Sequence, residues 1–157
     1  MEYKWEEKWP PLSFEGQEIP FAGPVIVKVV VTNTGNTFLV NGKVNADLNL
    51  YCSRCLESFI YHLELPFEEQ YCSADFWQAL PEDLELKDEI RVFTGDTIDL
   101  SPAVREALLL ALPMKPLCRE SCQGLCPGCG KDLNRGNCEC HREDGDPRLA
   151  ALAKLLS

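Results

Sequence analysis

Residues 37–52 read TFLVNGKVNADLNLYC, the clearest periodic segment of the chain. Most odd positions carry polar side chains, whereas the even positions carry Phe38, Val40, Val44, Ala46, Leu48, Leu50 and Cys52. Side chains alternate between the two faces of a β-strand, so a period of two indicates one buried and one wet face. The pattern predicts a long antiparallel strand that bends at Gly42.

A second alternating run follows the corner sequence CSRC at residues 52–55. Its apolar side chains share one parity: Phe59, Tyr61, Leu63, Leu65 and Phe67. Two alternating runs separated by a short polar corner are typical of a hairpin. We therefore expect a hairpin whose corner holds a Cys-x-x-Cys pair. The β-branched run VIVKVVV at residues 25–31 predicts a central strand beside it.

The remaining segments are shorter. Four prolines within residues 1–24 predict an extended arm. Residues 74–80 and 90–93 predict a short helix and a short strand, and the chain after Glu68 is expected to be irregular. Ser101 as N-cap with Pro102 behind it starts a buried helix, which Pro113 ends. A terminal helix is expected after Asp146-Pro147, lined by Leu149, Leu152, Leu155 and Leu156.

These elements predict an α+β domain with an antiparallel, barrel-like sheet, a buried helix and a C-terminal zinc-knuckle segment. We place an α+β body with its N-terminal arm at residues 1–112. The cysteine-rich metal-binding tail with its terminal helix follows at residues 113–157. The composition, 45% hydrophobic and 25% charged, is ordinary for a folded protein.

Cysteines are the strongest chemical signal in the chain. Six of the nine fall within 23 residues, at Cys118, Cys122, Cys126, Cys129, Cys138 and Cys140. Thiolate sites built on Cys-x-x-Cys pairs are typical of structural zinc, and so dense a cluster exceeds what core packing uses. A set of buried or disulfide-bonded cysteines is the alternative. We predict one zinc ion held by Cys126 and Cys129, completed by Cys118 or Cys122 and by Cys138 or Cys140.

The pair Cys52 and Cys55 has three interpretations. Cys52 continues the buried parity of its strand, so a core position ranks first. Half of a zinc ribbon with Cys126 and Cys129 ranks second. A redox dithiol ranks last, because the strand-to-helix context of such sites is missing. Cys72 is expected to be a small buried apolar residue.

The charge of the chain is −10 and is unevenly distributed. Residues 1–51 carry −2, residues 52–100 carry −9 and residues 101–157 carry +1. An acidic middle repels phosphate and attracts basic partners. The N-terminus has no apolar signal core and no apolar run reaches membrane-spanning length, so we expect a cytoplasmic protein without membrane contact. No Ser/His/Asp set or glycine-rich phosphate loop can be assembled, so we expect no enzyme.

The sequence LYCSRCL at residues 50–56 resembles the C-x-R-C-L motif of the YceD-like family. The tail resembles the cysteine-rich form of that family at residues 116–130, 138–140 and 146–152. The resemblance implies a non-enzymatic factor in accumulation of large-subunit ribosomal RNA and in ribosome assembly. It also implies a ribosomal protein or pre-ribosomal particle of the large subunit as partner, with rRNA as a further contact.

Two alternative functions remain open at this point. One is a direct RNA-binding zinc module that uses Arg119, Lys131, Arg135, Arg142 and Arg148. The other is a thiol oxidoreductase that uses Cys52 and Cys55. Arg54 is expected to be exposed and to contribute to recognition, because the turn projects it between two anchored cysteines.

Overall fold

The computed structural model describes residues 1–14, 16–81 and 89–140, and two sheets organise them. The strands are β1 (Glu2–Glu7), β2 (Leu12–Phe14), β3 (Gln17–Ile19), β4 (Val25–Asn33), β5 (Thr37–Tyr51), β6 (Ser58–Ser73) and β7 (Ile90–Phe93). The helices are α1 (Ala74–Ala79) and α2 (Ser101–Leu110). The larger sheet has the order β1-β4-β5-β6-β7 and curls into a half-barrel, while β2 and β3 form a separate pair. The predicted α+β class is confirmed.

The β5–β6 hairpin forms the centre of the large sheet. Its register runs from Thr37 opposite Cys72 to Tyr51 opposite Ser58. The predicted alternation is confirmed, since the even positions of β5 and the odd positions of β6 turn toward the core. The irregular chain expected after Glu68 is wrong. β6 continues to Ser73 there, because the first residues of the long β5, from Thr37 to Asn41, pair with residues 68–72 of β6.

The N-terminal segment is extended, as predicted, but it also pairs into strands. β1 runs antiparallel to β4 and places Trp5 opposite the buried Val27. β2 and β3 form a small hairpin, and the prolines lie in the connections outside these strands. Because proline lacks the N–H that a ladder requires, the chain pairs only between its prolines.

The second edge of the sheet departs from the antiparallel prediction. β7 pairs parallel with β6, so the sheet is mixed. Arg91 on β7 donates to Glu69 at 2.8 Å and to Glu106 on α2 at 2.6 Å. Both carboxylates raise the pKa of the Arg91 guanidinium, through their hydrogen bonds first. This pairing attaches the edge strand to the helix that covers the sheet.

Helix α2 packs one face against the sheet. Ala103, Val104 and Leu108 are buried on it, as the predicted buried helix requires. Its start differs from the prediction, because Leu100 occupies the cap position and Ser101 is the first helical residue. A carboxylate oxygen of Asp99 accepts the Ser101 N–H at 2.9 Å and thereby satisfies an otherwise free helix donor.

The core lies between α2 and the concave side of the large sheet, and its fully buried members include Leu12, Val27, Val40, Val44, Leu48, Val104 and Leu108. At Gly42 the neighbouring strand approaches so closely that a Cβ would lie 1.9 Å from the Lys28 carbonyl oxygen. The predicted terminal helix falls outside the described residues. The division at residue 112 stays a prediction. No helix in the described part is long and apolar enough to cross a membrane.

We expect Leu108→Ala to lower the free energy of unfolding by about 2–5 kcal/mol, because the Leu108 side chain is 0% exposed and its truncation leaves a cavity in the core. Leu110→Ala is the matched control. Leu110 lies on the same helix and is 81% exposed, so its removal should change stability by less than about 0.5 kcal/mol. Urea unfolding followed by circular dichroism measures both, and equal effects would contradict the described packing of α2.

Candidate metal centres

The corner between β5 and β6 is a tight turn that directs two thiols to one point. The Cys52 N–H donates to the Glu57 carbonyl at 2.9 Å, and the Leu56 N–H donates back to the Cys52 carbonyl at 2.9 Å. Leu56 adopts a φ of 62°, a left-handed conformation that non-glycine residues rarely adopt. The turn brings Cys52 and Cys55 to the same side, and both are buried.

A segment of the tail covers this corner. The Ser53 N–H donates to the Pro116 carbonyl at 2.8 Å, and the Leu125 N–H donates to the Arg54 carbonyl at 3.1 Å. The Arg54 guanidinium donates to the carbonyls of Glu120 at 3.2 Å and Cys122 at 2.8 Å. The backbone of residues 116–125 is therefore attached to the hairpin through Ser53 and Arg54, the two residues between the cysteines of the Cys-x-x-Cys pair.

This attachment assembles a first group of four thiols, the hairpin centre, formed by Cys52, Cys55, Cys118 and Cys122. All four sulfurs lie within 4.8 Å of one another. The Sγ atoms of Cys52 and Cys122 are 3.8 Å apart, and those of Cys55 and Cys118 are also 3.8 Å apart. Phe59, Leu117 and Leu125 pack around the group and limit its contact with water.

The tail repeats the turn of the hairpin corner at residues 126–131. The Cys126 N–H donates to the Lys131 carbonyl at 2.8 Å, and the Gly130 N–H donates to the Cys126 carbonyl at 2.8 Å. Gly130 has a φ of 73° and takes the place that Leu56 holds in the hairpin. The same backbone turn therefore presents a Cys-x-x-Cys pair at both places.

The second group, the tail centre, consists of Cys126, Cys129, Cys138 and Cys140. Its sulfurs also lie within 4.8 Å of one another, and those of Cys126 and Cys138 are 3.1 Å apart. Cys126 is buried, Cys138 and Cys140 are half-buried, and Cys129 is exposed. The tail centre is thus more open to solvent than the hairpin centre.

The geometry fits a tetrahedral thiolate metal site. A metal–sulfur bond of about 2.3 Å gives a tetrahedron with sulfur–sulfur edges of about 3.8 Å, and the Cys52–Cys122 and Cys55–Cys118 distances of the hairpin centre match this value. A disulfide would require about 2.05 Å, and all nine cysteines are free thiols. The hairpin centre can therefore hold one metal ion. The tail centre offers a set of four sulfurs within 4.8 Å that could also hold one, although its Cys126–Cys138 edge is shorter, at 3.1 Å.

The electrostatics of both groups favour a cation. The Cys118 N–H, and next the Cys55 N–H, donate to the Cys52 sulfur and lower the pKa of Cys52 to about 6. Burial, and then the Cys52 thiol, raise the pKa of Cys118 to about 12. In the tail centre the Cys138 thiol lowers the pKa of Cys126 to about 6, whereas the Cys129 thiol raises that of Cys140 to about 12. Thiols this close cannot all ionise unless a cation compensates their charge.

Residues between Cys129 and Cys138 connect the two centres, and the sequence analysis did not identify them as site residues. Asn134 donates from its side-chain amide to the Cys122 sulfur at 3.4 Å and accepts the Gln123 N–H at 2.9 Å. The Asp132 carboxylate in turn accepts hydrogen bonds from the backbone N–H of Asn134 at 2.9 Å and from its side-chain amide at 2.7 Å. An amide that donates to a ligand sulfur orients that ligand. In the sequence, the feature that could have indicated this role is the presence of Asp132 and Asn134 in the loop between two cysteine pairs.

The grouping of the cysteines differs from the single tail site expected from the sequence. Cys126 and Cys129 meet Cys138 and Cys140, but neither Cys118 nor Cys122 joins them. Those two thiols instead meet Cys52 and Cys55, so the ribbon in which Cys52 and Cys55 would pair with Cys126 and Cys129 is not formed. Cys72 is 0% exposed and lies in neither group, as expected.

Basic residues near the centres make intramolecular contacts. Arg135 pairs with Glu57 and lies 3.4 Å from Asp132, and Lys131 donates to the Asn137 carbonyl at 3.0 Å. Arg54 is exposed, as predicted, but its guanidinium binds tail carbonyls. Arg142 and Arg148 of the alternative RNA-binding set lie outside the described residues.

Comparison with known proteins gives relatives along most of the chain. A protein of Mycobacterium tuberculosis strain H37Rv, named uncharacterized protein Rv2926c, is 35% identical over 126 residues, covering 80% of this chain and 59% of its own length. YlbN of Bacillus subtilis, also named uncharacterized, is 36% identical over 114 residues, covering 72% and 63%. The chloroplastic YCED homolog 1 of Arabidopsis thaliana is 25% identical over 167 residues, covering 88% and 50%.

This chain therefore spans less than two thirds of the length of these curated relatives. No solved structure matches it. The family described as large ribosomal RNA subunit accumulation protein YceD matches residues 40–156, which include both cysteine groups and the β5–β6 hairpin. The chain belongs to the YceD family of large ribosomal RNA subunit accumulation proteins.

Proposed function

We propose that this protein is a non-enzymatic, zinc-binding factor in large-subunit ribosomal RNA accumulation and ribosome assembly, and that it acts in the cytoplasm through contacts with a ribosomal protein or pre-ribosomal particle. The observation that supports the role is the family match over residues 40–156. The four thiols of the hairpin centre join the tail to the body of the protein. A site that holds two segments together has a structural role, which favours a binding protein over an enzyme.

Zinc is the metal that the donor set favours. Four cysteine sulfurs without water or carboxylate form the closed ligand set of structural zinc sites, whereas catalytic sites keep an open position. Soft thiolates disfavour magnesium and calcium, which prefer oxygen ligands. The hairpin centre would be held by Cys52, Cys55, Cys118 and Cys122, and the tail centre by Cys126, Cys129, Cys138 and Cys140.

The charge of the chain favours a basic protein over naked RNA as the direct partner. The net charge is −10, and in each metal-loaded centre four thiolates outweigh a divalent ion. Such a field repels phosphate and raises the rate of encounter with basic proteins. The contact with ribosomal RNA would then be made through a basic ribosomal protein that binds this chain and the RNA.

The alternative of a direct RNA-binding module has less support. Arg135 pairs with carboxylates, and Lys131 and Arg54 donate to backbone carbonyls, so these cations are already engaged. RNA binding would require them to exchange internal partners for phosphates.

The alternative of a thiol oxidoreductase also has less support. Cys52 and Cys55 are buried within the same thiol group as Cys118 and Cys122, and their turn joins two strands. A reactive dithiol needs an accessible sulfur, usually at a helix N-terminus. His62, the only described histidine, pairs with Asp47 at 2.7 Å among exposed side chains, which provides no base for the buried thiols.

We expect two zinc ions per chain, and we expect a chelator to remove the tail ion first, because Cys129 is exposed whereas the hairpin centre is enclosed. Native mass spectrometry and a colorimetric chelator assay count the ions and the release phases. Replacement of Cys129 and Cys140 by serine should leave one ion, and Cys72→Ala should leave two. A chain that binds one ion or none would contradict the two-centre arrangement.

Arg54→Ala should lower the free energy of unfolding by about 1–2 kcal/mol, because two tail carbonyls lose a charged donor. We also expect faster metal release from the hairpin centre. Thermal unfolding and stopped-flow chelation measure these effects, with Lys8→Ala, which removes an exposed cation of the N-terminal segment, as the control. Unchanged stability and release, combined with loss of activity in cells, would instead assign Arg54 to partner recognition.

The cellular role is tested by complementation. Cells that lack the protein should accumulate less large-subunit rRNA relative to small-subunit rRNA, and the wild-type chain should restore the ratio. Replacement of Cys52 and Cys55 by serine should not restore it, whereas Cys72→Ala should. Quantitative RNA electrophoresis measures the ratio, and identification of co-purified proteins tests the partner. An unchanged ratio in the deletion strain would refute the proposed function.

A further inference from the structure

A groove of about 830 Å³ opens between the two edges of the half-barrel, on the concave side of the sheet. One wall comes from the edge strand β1, through Tyr3 and Trp5, and from β4 beside it. The opposite wall comes from Phe93 on the other edge strand, β7, and from residues 96–101 before and at the start of helix α2. The groove therefore lies where the curled sheet does not close.

The floor of the groove is apolar and aromatic. Val29 and Val40 lie at its base and are buried, and the rings of Phe38 and Phe93 meet edge to face at 5.7 Å. Tyr3 remains 47% exposed at the open side. An apolar concave surface bordered by an accessible aromatic ring is typical of sites that bind a side chain of a partner.

The polar border carries negative charge. Asp96 and Asp99 line the groove and are exposed, and the cation among its described lining residues is the α-amino group of Met1, which already donates to the Val31 carbonyl at 2.8 Å. Asp99 also accepts the Ser101 N–H, which lowers its pKa and keeps it ionised. The edge strand β1 itself carries three glutamates against one lysine, and these four side chains do not line the groove. This charge complements a basic ligand and excludes an acidic one.

The edge strand provides unpaired backbone groups. β1 is at the end of the strand order, and within the described residues its ladder partner is β4. An edge strand presents a row of free N–H and C=O groups to which an extended peptide can add as a further strand. A strand added beside β1 would turn alternate side chains toward the same concave side as Tyr3 and Trp5, because side chains alternate along a strand.

We propose that this groove binds an extended basic segment of a ribosomal protein, which pairs with the backbone of β1, inserts alternate apolar side chains into the groove and places lysine or arginine beside Asp96 and Asp99. The proposal rests on the proposed function, because it names the kind of segment by which the basic partner is held. It differs in location from both cysteine groups, whose residues do not line the groove.

The first test uses the full chain in its metal-bound form and a short synthetic peptide in which lysine alternates with valine. Fluorotryptophan labelling gives one fluorine resonance for each of Trp5, Trp9 and Trp77, and Trp5→Phe assigns the first. We expect the peptide to shift the Trp5 resonance most. The same peptide with glutamate in place of lysine should not bind, nor should a version with N-methyl groups along its backbone.

Variants of the chain separate the parts of the site. Tyr3→Ala should weaken binding about tenfold, since exposed aromatic residues at such surfaces contribute strongly. Asp96→Asn should weaken it about threefold and reduce its salt dependence. Asp96 is preferred to Asp99 because Asp99 also supports helix α2. Glu64→Gln is the matched control: it removes the same charge outside the groove and should leave binding unchanged.

Each contrary outcome has a distinct meaning. If no peptide binds, while purified basic ribosomal proteins bind wild type and Tyr3→Ala equally, the groove is wrong and the proposed function stands. If neither peptides nor ribosomal proteins bind, both are wrong. If sedimentation shows a dimer that Tyr3→Ala dissociates, the occupant is a second copy of the chain, and the proposal is overturned. Binding of the glutamate peptide with equal affinity would also overturn it.

Discussion

The attachment of residues 116–125 to the β5–β6 corner assembles the hairpin centre and joins the tail to the sheet. The corner leaves the Ser53 N–H and the Arg54 carbonyl directed outward, and the tail supplies their partners. It also supplies Cys118 and Cys122, which lie 63 and 70 residues from the thiols they approach. A contact that closes so long a loop has a large entropic cost, and a bound metal ion can offset it because folding and metal binding are coupled.

The two Cys-x-x-Cys turns show that backbone geometry takes precedence over side-chain preference at these sites. In both turns the N–H of the fifth residue donates to the carbonyl of the first cysteine, which requires a positive φ. Gly130 meets this requirement freely, whereas Leu56 adopts it at a cost of about 1–2 kcal/mol. The hydrogen bonds from the Leu56 N–H to the Cys52 carbonyl and from the Cys52 N–H to the Glu57 carbonyl close the turn around Leu56, whose side chain is 64% exposed. The strained conformation of Leu56 is therefore part of the turn that directs the sulfurs of Cys52 and Cys55 to the same site.

The distribution of charge and the position of the groove both favour a basic protein as partner. Several arginines and lysines of the described part pair with carboxylates of the chain itself, as Arg91, Arg135 and Lys43 do. The surplus acids remain on the surface, and two of them, Asp96 and Asp99, border the groove between the edges of the sheet. A protein that uses its cations internally and presents its anions is suited to basic proteins more than to nucleic acid.

The sequence by itself determined the β5–β6 hairpin, the buried helix α2 and the burial of Cys72, because strand and helix periodicities are local properties of the chain. It also determined that thiols would cluster, since six cysteines lie within 23 residues. Only the tertiary structure decided which thiols meet: spacing alone allowed Cys126 and Cys129 to take their partners from either side, and the docking of the tail on the hairpin settled the choice. The extension of β6 to Ser73 and the parallel pairing of β7 were likewise decided by partners distant in sequence, because backbone hydrogen bonds to another strand leave no trace in the local pattern.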